Sequence, residues 1–215
     1  RLHGSYSRQA LKDGIAMRIE RDGRKEQYTY ADLRELATRV AGFLASEGIK
    51  SGDRVMLVSS NAPEWGMSYF GVLKAGGAWL PLDPAWPRER LQHMLGVVAP
   101  TVLITSGALR ERCPSGAHRL FDLDREQAEI AAQPATDPQL PIAPEQLCYL
   151  MFTSGSAGAP KCVMVTHGNL AGLFPPLSAA LDFGPDDVWS WFHSASFGFS
   201  VWEIFGALLH GACLQ

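Results

Sequence analysis

The sequence predicts an α/β fold: doubly wound, mostly parallel sheets with flanking helices. Three observations carry that prediction. Short apolar runs of strand length alternate with stretches whose apolar residues recur at helical spacing. Glycine and proline cluster at the joints between them. Finally, 47% of the 215 residues are hydrophobic, enough to bury a core on both faces of a sheet.

The elements follow in order. Residues 15–20 and 27–30 read as a hairpin around Asp22-Gly23, a pair that tolerates the positive φ of a tight turn. A helix comes next, because Leu33, Leu36, Ala37, Val40 and Leu44 share one face, Thr29 and Asp32 form a capping-box pair, and Gly48 suits the stop. An apolar strand at 54–58 leads to Asn61 as a helix N-cap, with Pro63 in the first turn, Glu64 and Trp65 at the helix start, and Gly76-Gly77 at its end. A strand at 78–82, a helix at 87–98 and strands at 101–105 and 120–123 continue the alternation. Pro134, Pro138, Pro141 and Pro144 break any regular element across 124–145, which reads as a surface linker inside the fold. Beyond it come a strand at 147–152, a returning strand at 162–165, a helix at 167–181 interrupted at Pro175-Pro176, a strand at 188–193 and a helix at 201–210. The organisation expected is a first α/β subdomain over residues 1–123, a Pro/Ala/Gln-rich linker over 124–146 and a second α/β segment over 147–215.

A net charge of -3, with no block of one sign, offers no polybasic face to nucleic acid or anionic lipid, so a small molecule or another protein is the expected partner. Cys113, Cys148, Cys162 and Cys213 lie far apart and outside any metal-ligand spacing; reduced thiols and no metal site are expected. Asp186-Asp187 follows Gly184-Pro185 and reads as a turn or cap rather than a metal pair. No apolar stretch is long enough to span a bilayer and none resembles a signal peptide, which predicts a cytoplasmic protein. The chain begins at Arg1 and stops in what reads as the first half of a strand, the pattern expected of a piece of something longer.

The stretch richest in chemistry is Thr153-Ser154-Gly155-Ser156-Ala157-Gly158-Ala159-Pro160-Lys161. Two glycines let the backbone curl until several N–H groups converge, three hydroxyls add donors, and Lys161 adds a positive charge; such a nest suits a polyphosphate. It is neither a Walker A loop nor a dinucleotide fingerprint, since no Ser or Thr follows the lysine and a strand comes next. Taken alone, a Ser/Gly loop is also compatible with a flexible turn.

Context decides between these. Residues 149–167, YLMFTSGSAGAPKCVMVTH, closely resemble the signature loop of the adenylate-forming superfamily, usually written YTSGSTGxPKGV. Residues 28–33 (YTYADL) resemble the family's first core motif, 73–91 (LKAGGAWLPLDP through PRERL) its second and 192–203 (FHSASFGFSVWE) its fourth. The wording of the last two is typical of adenylation domains of nonribosomal peptide synthetases. The resemblance implies the N-terminal portion of an acid–AMP ligase that uses ATP and Mg2+ to form an acyl-adenylate and then loads the phosphopantetheine of a carrier domain. It implies ATP-phosphate contacts from Thr153, Ser154, Gly155, Ser156, Gly158 and Lys161, with Lys161 catalytic, and an acid pocket that includes His193, Phe197, Gly198, Phe199 and Trp202. The magnesium ligands, the adenine contacts and a mobile catalytic lysine belong to later motifs, so this chain alone is expected to be inactive. A small activator protein stays open as a further partner.

Three residues depart from the family pattern. Ala157 replaces a threonine and removes one hydroxyl donor, while Cys162 replaces a glycine. Gly198 stands where domains selecting α-amino acids carry an aspartate for the substrate ammonium. A desolvated ammonium without that carboxylate is strongly disfavoured. The expected substrate is therefore an α-keto or α-hydroxy acid, with β-amino or simple acyl acids next. Two alternatives remain: an α-amino acid whose ammonium has a displaced partner, and a catalytically silent docking domain. His193, Phe199 and Trp202 also fit plain core packing.

Overall fold

A computed structural model describes residues 14–21, 23–61, 63–116, 118–153 and 160–215. The first hairpin is formed by β1 (Ile15–Arg21) and β2 (Arg24–Thr29), with Gly23 at φ 73° in the turn. Helix α1 (Tyr30–Ser46) starts on the predicted capping box: the Thr29 hydroxyl accepts from the Asp32 N–H, and the Asp32 carboxylate accepts from the Thr29 N–H at 2.8 Å. Donation by the Thr29 hydroxyl and N–H holds the Asp32 carboxyl below the usual carboxylate range; that increment of stability is complete above the ordinary carboxylate pKa and disappears as pH falls through the lowered value. The helix ends as the sequence predicts. Gly48 takes φ 86°, its N–H reaches the Ala45 carbonyl, and the Ile49 N–H reaches the Leu44 carbonyl, which satisfies two orphaned acceptors.

The remaining elements are β3 (Arg54–Val58), α2 (Pro63–Lys74), β4 (Ala78–Leu82), α3 (Arg88–Val98), β5 (Val102–Thr105), a 3-10 turn (Gly107–Arg112), β6 (Arg119–Asp122), α4 (Gln127–Ala131), β7 (Leu147–Thr153), β8 (Lys161–Thr166), α5 (His167–Leu181), β9 (Val188–Trp189), α6 (Phe199–Leu209) and β10 (Cys213–Leu214). They build a six-stranded sheet in the order β6-β5-β3-β4-β7-β8, parallel except for β8, and a four-stranded sheet in the order β2-β1-β10-β9. Strands from both sides of the Pro-rich stretch share the larger sheet, with Trp79 of β4 in register with Tyr149 of β7.

Alternation along these strands sends side chains to two layers. Val55, Leu57, Trp79 and Val102 join α1 and α2 on one face, whereas Met56, Val58, Leu80 and Leu103 meet Leu91, Met94 and Val98 of α3 on the other. The sheet is thus wound on both sides. The approach of α1 to α2 needs Gly71, where an added Cβ would lie 2.5 Å from Val40 Cγ1 and 2.7 Å from its Cβ. Gly71→Ala is expected to destabilise the protein by about 1–3 kcal/mol through overpacking, read as a shift of the denaturant midpoint at unchanged slope.

Three expectations are corrected. The 124–145 segment holds a short helix, α4, because Ile130 buries its side chain while Arg39 donates to the carbonyls of Ala131 and Gln133. Pro175 and Pro176 do not interrupt α5; the carbonyls they leave unpaired belong to exposed Ala171 and Gly172, where water can serve them, while Leu170 and Phe174 anchor the buried face. The strand predicted at 188–193 pairs only at Val188–Trp189, and the last helix starts at Phe199. Asn61 spends its side chain on the segment after that strand, donating to the His193 carbonyl at 2.7 Å and accepting from the Ala195 N–H at 3.0 Å. This tether draws residues 193–195 away from a sheet path.

Candidate functional site

The parallel strands β3, β4 and β7 end on one side of the larger sheet. The connection after β3 turns to the α2 face and the one after β4 to the α3 face, so the two diverge at the carboxyl edge, the place where open α/β sheets generally bind ligands. Residues in both connections reach the same loop: Asn61 holds His193 and Ala195, and Asp83 accepts from the Ser194 hydroxyl at 2.9 Å. Ser194 and Ser196 share a further hydroxyl contact of 2.9 Å. Buried Ser200 closes the turn, its hydroxyl lying 3.1 Å from the Ala195 carbonyl and 2.8 Å from that of Phe197.

This loop carries His193 into a group of phenyl rings. Its imidazole stacks on Phe197 with centroids 5.3 Å apart, tilts against Phe199 at 5.1 Å and meets Phe192 edge-on at 5.3 Å. All three phenylalanines are largely exposed, Phe192 at 82%. His193 Nδ1 lies 2.7 Å from Oε1 of Glu203, and the His193 backbone N–H donates to Oε2 of the same carboxylate at 3.2 Å. Glu203 itself is buried in α6.

The other predicted site residues distribute as follows. Gly198 stands at the start of α6 with φ -54° and ψ -28°, and a Cβ built there meets no atom within 4 Å. Trp202 sits apart from the His193 group: it stacks on Phe174 at 5.5 Å and tilts against Trp189 at 5.4 Å, with Phe183 edge-on. Thr153 and Lys161 face each other across the antiparallel β7–β8 pair, both exposed, and so pin the two ends of the Ser/Gly loop. Ser154, Gly155, Ser156 and Gly158, together with Ala157, lie outside the described residues. Cys162 follows Lys161 in β8, and burial pushes its thiol up, away from the reactive thiolate. Asp187 accepts from the Gly184 N–H at 2.9 Å, the turn expected of it.

Sequence reasoning did not single out Asn61, Asp83 or Glu203 as parts of this site. The available signal was Glu203 itself, a lone acid inside the apolar run of α6, which demands a buried partner.

The doubly wound sheet, with a hydroxyl- and glycine-rich sequence between the paired strands β7 and β8 and an aromatic loop held by residues that follow β3 and β4, defines an α/β class that the comparisons with known proteins identify. The chain belongs to the AMP-binding enzyme family, whose model matches residues 6–215. It is 37% identical over 210 residues to the dimodular nonribosomal peptide synthase of Bacillus subtilis, covering 94% of this chain and 9% of that protein. It is 41% identical over 186 residues to the isonitrile lipopeptide synthase of Mycobacterium tuberculosis, covering 86% and 7% respectively. Among solved structures, the nonribosomal peptide synthetase FmoA3 in its AMPPNP-bound form superposes with a TM-score of 0.88 at 26% identity, over 99% of this chain and 22% of that one. The fold and the relatives are those of nonribosomal peptide synthetase adenylation domains, and the chain spans a small fraction of the length of the curated relatives it matches. No helix among the described residues is long and apolar enough to cross a membrane.

Proposed function

We propose that this chain supplies the phosphate loop and one wall of the acid pocket in an acid–AMP-forming adenylation domain whose substrate lacks an α-ammonium, an α-keto or α-hydroxy acid first. The supporting observation is Gly198. Its angles are those of an ordinary helical residue and the space around its Cβ position is open, so neither the backbone nor the packing requires glycine there. A side chain could start there without a clash at its Cβ. That supports reading the glycine as a matter of what the pocket binds rather than of how the chain folds.

In this reading the substrate carboxylate attacks the α-phosphorus of ATP in line with the departing pyrophosphate. Positioning and cationic stabilisation of that leaving group lower the barrier. Thr153 and Lys161 hold the ends of the loop in register, so hydroxyls and backbone N–H groups can close on the outer phosphates while the Lys161 ammonium offsets their charge. Magnesium would arrive with the nucleotide; among the described residues no three His, Cys, Asp or Glu side chains group to hold a metal. The acyl group would then pass to a carrier domain's phosphopantetheine.

The test is pyrophosphate exchange in a protein that joins this chain to the rest of its adenylation domain, with matched 2-oxo, 2-hydroxy, 2-amino and 3-amino acids. Exchange is expected with the 2-oxo or 2-hydroxy acid at least about tenfold above the 2-amino acid. Strong exchange with an ordinary α-amino acid overturns the reading of Gly198. Exchange with none of them favours a silent docking domain.

A further inference from the structure

The His193 residue is held at three points. Its carbonyl accepts from Asn61, its N–H donates to Glu203 Oε2, and its Nδ1 lies 2.7 Å from Glu203 Oε1. An ionised carboxylate only accepts, so Nδ1 carries the proton in that contact. Both carboxylate oxygens serve the same residue, which a glutamine of equal shape cannot do: one of its two ends is a donor and would face either the backbone N–H or Nδ1–H. The Glu203 side chain is 9% exposed and the His193 side chain 35% exposed. With Nδ1 engaged by Glu203, Nε2 is the ring nitrogen left without a hydrogen-bond partner among the described residues. Phe192, Phe197 and Phe199 each bring a ring within 5.3 Å of the imidazole, centroid to centroid, so the histidine sits among apolar rings. A single polar atom set among phenyl rings is the arrangement by which mostly apolar pockets orient a ligand.

We propose that Glu203 is a positioning residue that commits the His193 Nδ1–H inward and thereby presents Nε2, in one fixed orientation, to the acid substrate at the mouth of its pocket. The proposal rests on the reading of the chain as part of an acid-activating site. It does not depend on which class of acid is used. A ring fixed by a second group is what catalytic and ligand-binding histidines generally require.

The experiment compares Glu203→Gln, His193→Gln and the double variant in the protein carrying the whole adenylation domain, using whichever acid of the 2-oxo, 2-hydroxy and 2-amino panel supports pyrophosphate exchange. The expected result for Glu203→Gln is a rise of about tenfold in KM for the acid, with KM for ATP changed less than about twofold. The double variant should be no worse than His193→Gln alone, since Glu203 acts through the ring. Independently of activity, long-range ¹⁵N–¹H spectra of the histidine rings, with His193 assigned by its loss in His193→Gln, should show Nδ1 protonated in the neutral form. Glu203→Gln should convert that ring to the Nε2–H form or to a mixture. A neutral His193 protonated at Nε2 in the unsubstituted protein overturns the proposal, as do equal rises in KM for acid and ATP or additive losses in the double variant. A panel in which only an α-amino acid is active would sink the substrate class while leaving this test intact.

Discussion

Gly198→Asp, introduced into the complete adenylation domain, is expected to shift the ratio of α-amino acid to 2-oxo acid activation by about 10²-fold or more, which corresponds to about 3 kcal/mol. Two opposite effects add to that ratio. In the proposed pocket an aspartate at the entrance of α6 would pair with the substrate ammonium, whose desolvation would otherwise go uncompensated, and the same carboxylate would repel the oxygen of a 2-oxo acid. The substitution should cost the fold little. The site has ordinary helical angles and open space around the new Cβ, and a carboxylate beside the N-terminal end of α6 interacts favourably with the helix dipole. Thermal stability within about 1 kcal/mol of the parent is therefore expected alongside the changed preference. Parallel exchange assays with matched acids read the first quantity and unfolding curves read the second. An unchanged ratio with a folded protein would mean that the ammonium, or its absence, is recognised elsewhere.

Asp137→Ala should produce the largest loss of stability, about 3–5 kcal/mol. Lys74, at the end of α2, has no exposed side-chain surface, and its ammonium is paired with Asp137 in the segment that leads from α4 to β7. That segment has to carry the chain from β6, at one edge of the larger sheet, past β5, β3 and β4 to β7. Arg39 holds its start through the Ala131 and Gln133 carbonyls, Lys74 its middle, and Gln146 its end by donating to the Gly76 carbonyl at 2.7 Å. Removal of the carboxylate leaves a buried ammonium without its counter-ion. Removal of the whole pair is different, because a Lys74→Met, Asp137→Ala double variant no longer buries that charge and should recover part of the loss. Denaturant midpoints of the two variants decide the point. A single variant within about 0.5 kcal/mol of the parent would mean that the pair behaves like an exposed surface bridge.

The expectations that hold are those that depend on near neighbours. The Thr29–Asp32 box and the Gly48 stop are contacts within a few residues, where the chain has no alternative geometry to choose. The strands β3, β4 and β5 of the larger sheet are readable because apolar runs buried on both faces leave an uninterrupted signal. Proline misleads at α5, where its local penalty points to a break yet packing of Leu170 and Phe174 keeps the helix whole, so local propensity loses to tertiary contacts. At α4 the error is one of extent: the helix ends at Ala131, before the first proline at 134, and the breaking effect of the later prolines does not reach it.

The alternating α/β plan, the Ser/Gly loop ending in Lys161 and the glycine at 198 in place of an acid are all legible in residue order, since each is carried by residue types at short spacing. Which distant groups meet is settled by the folded chain. The Asn61 contact to His193 spans 132 residues, the Asp83 contact to Ser194 spans 111, and the Lys74 pair spans 63. The first two exist because strands far apart in the chain end side by side at one edge of a sheet, and the third because the segment between α4 and β7 runs back past the end of α2. Their energies depend on burial that forms only once the sheet and its helical layers have closed.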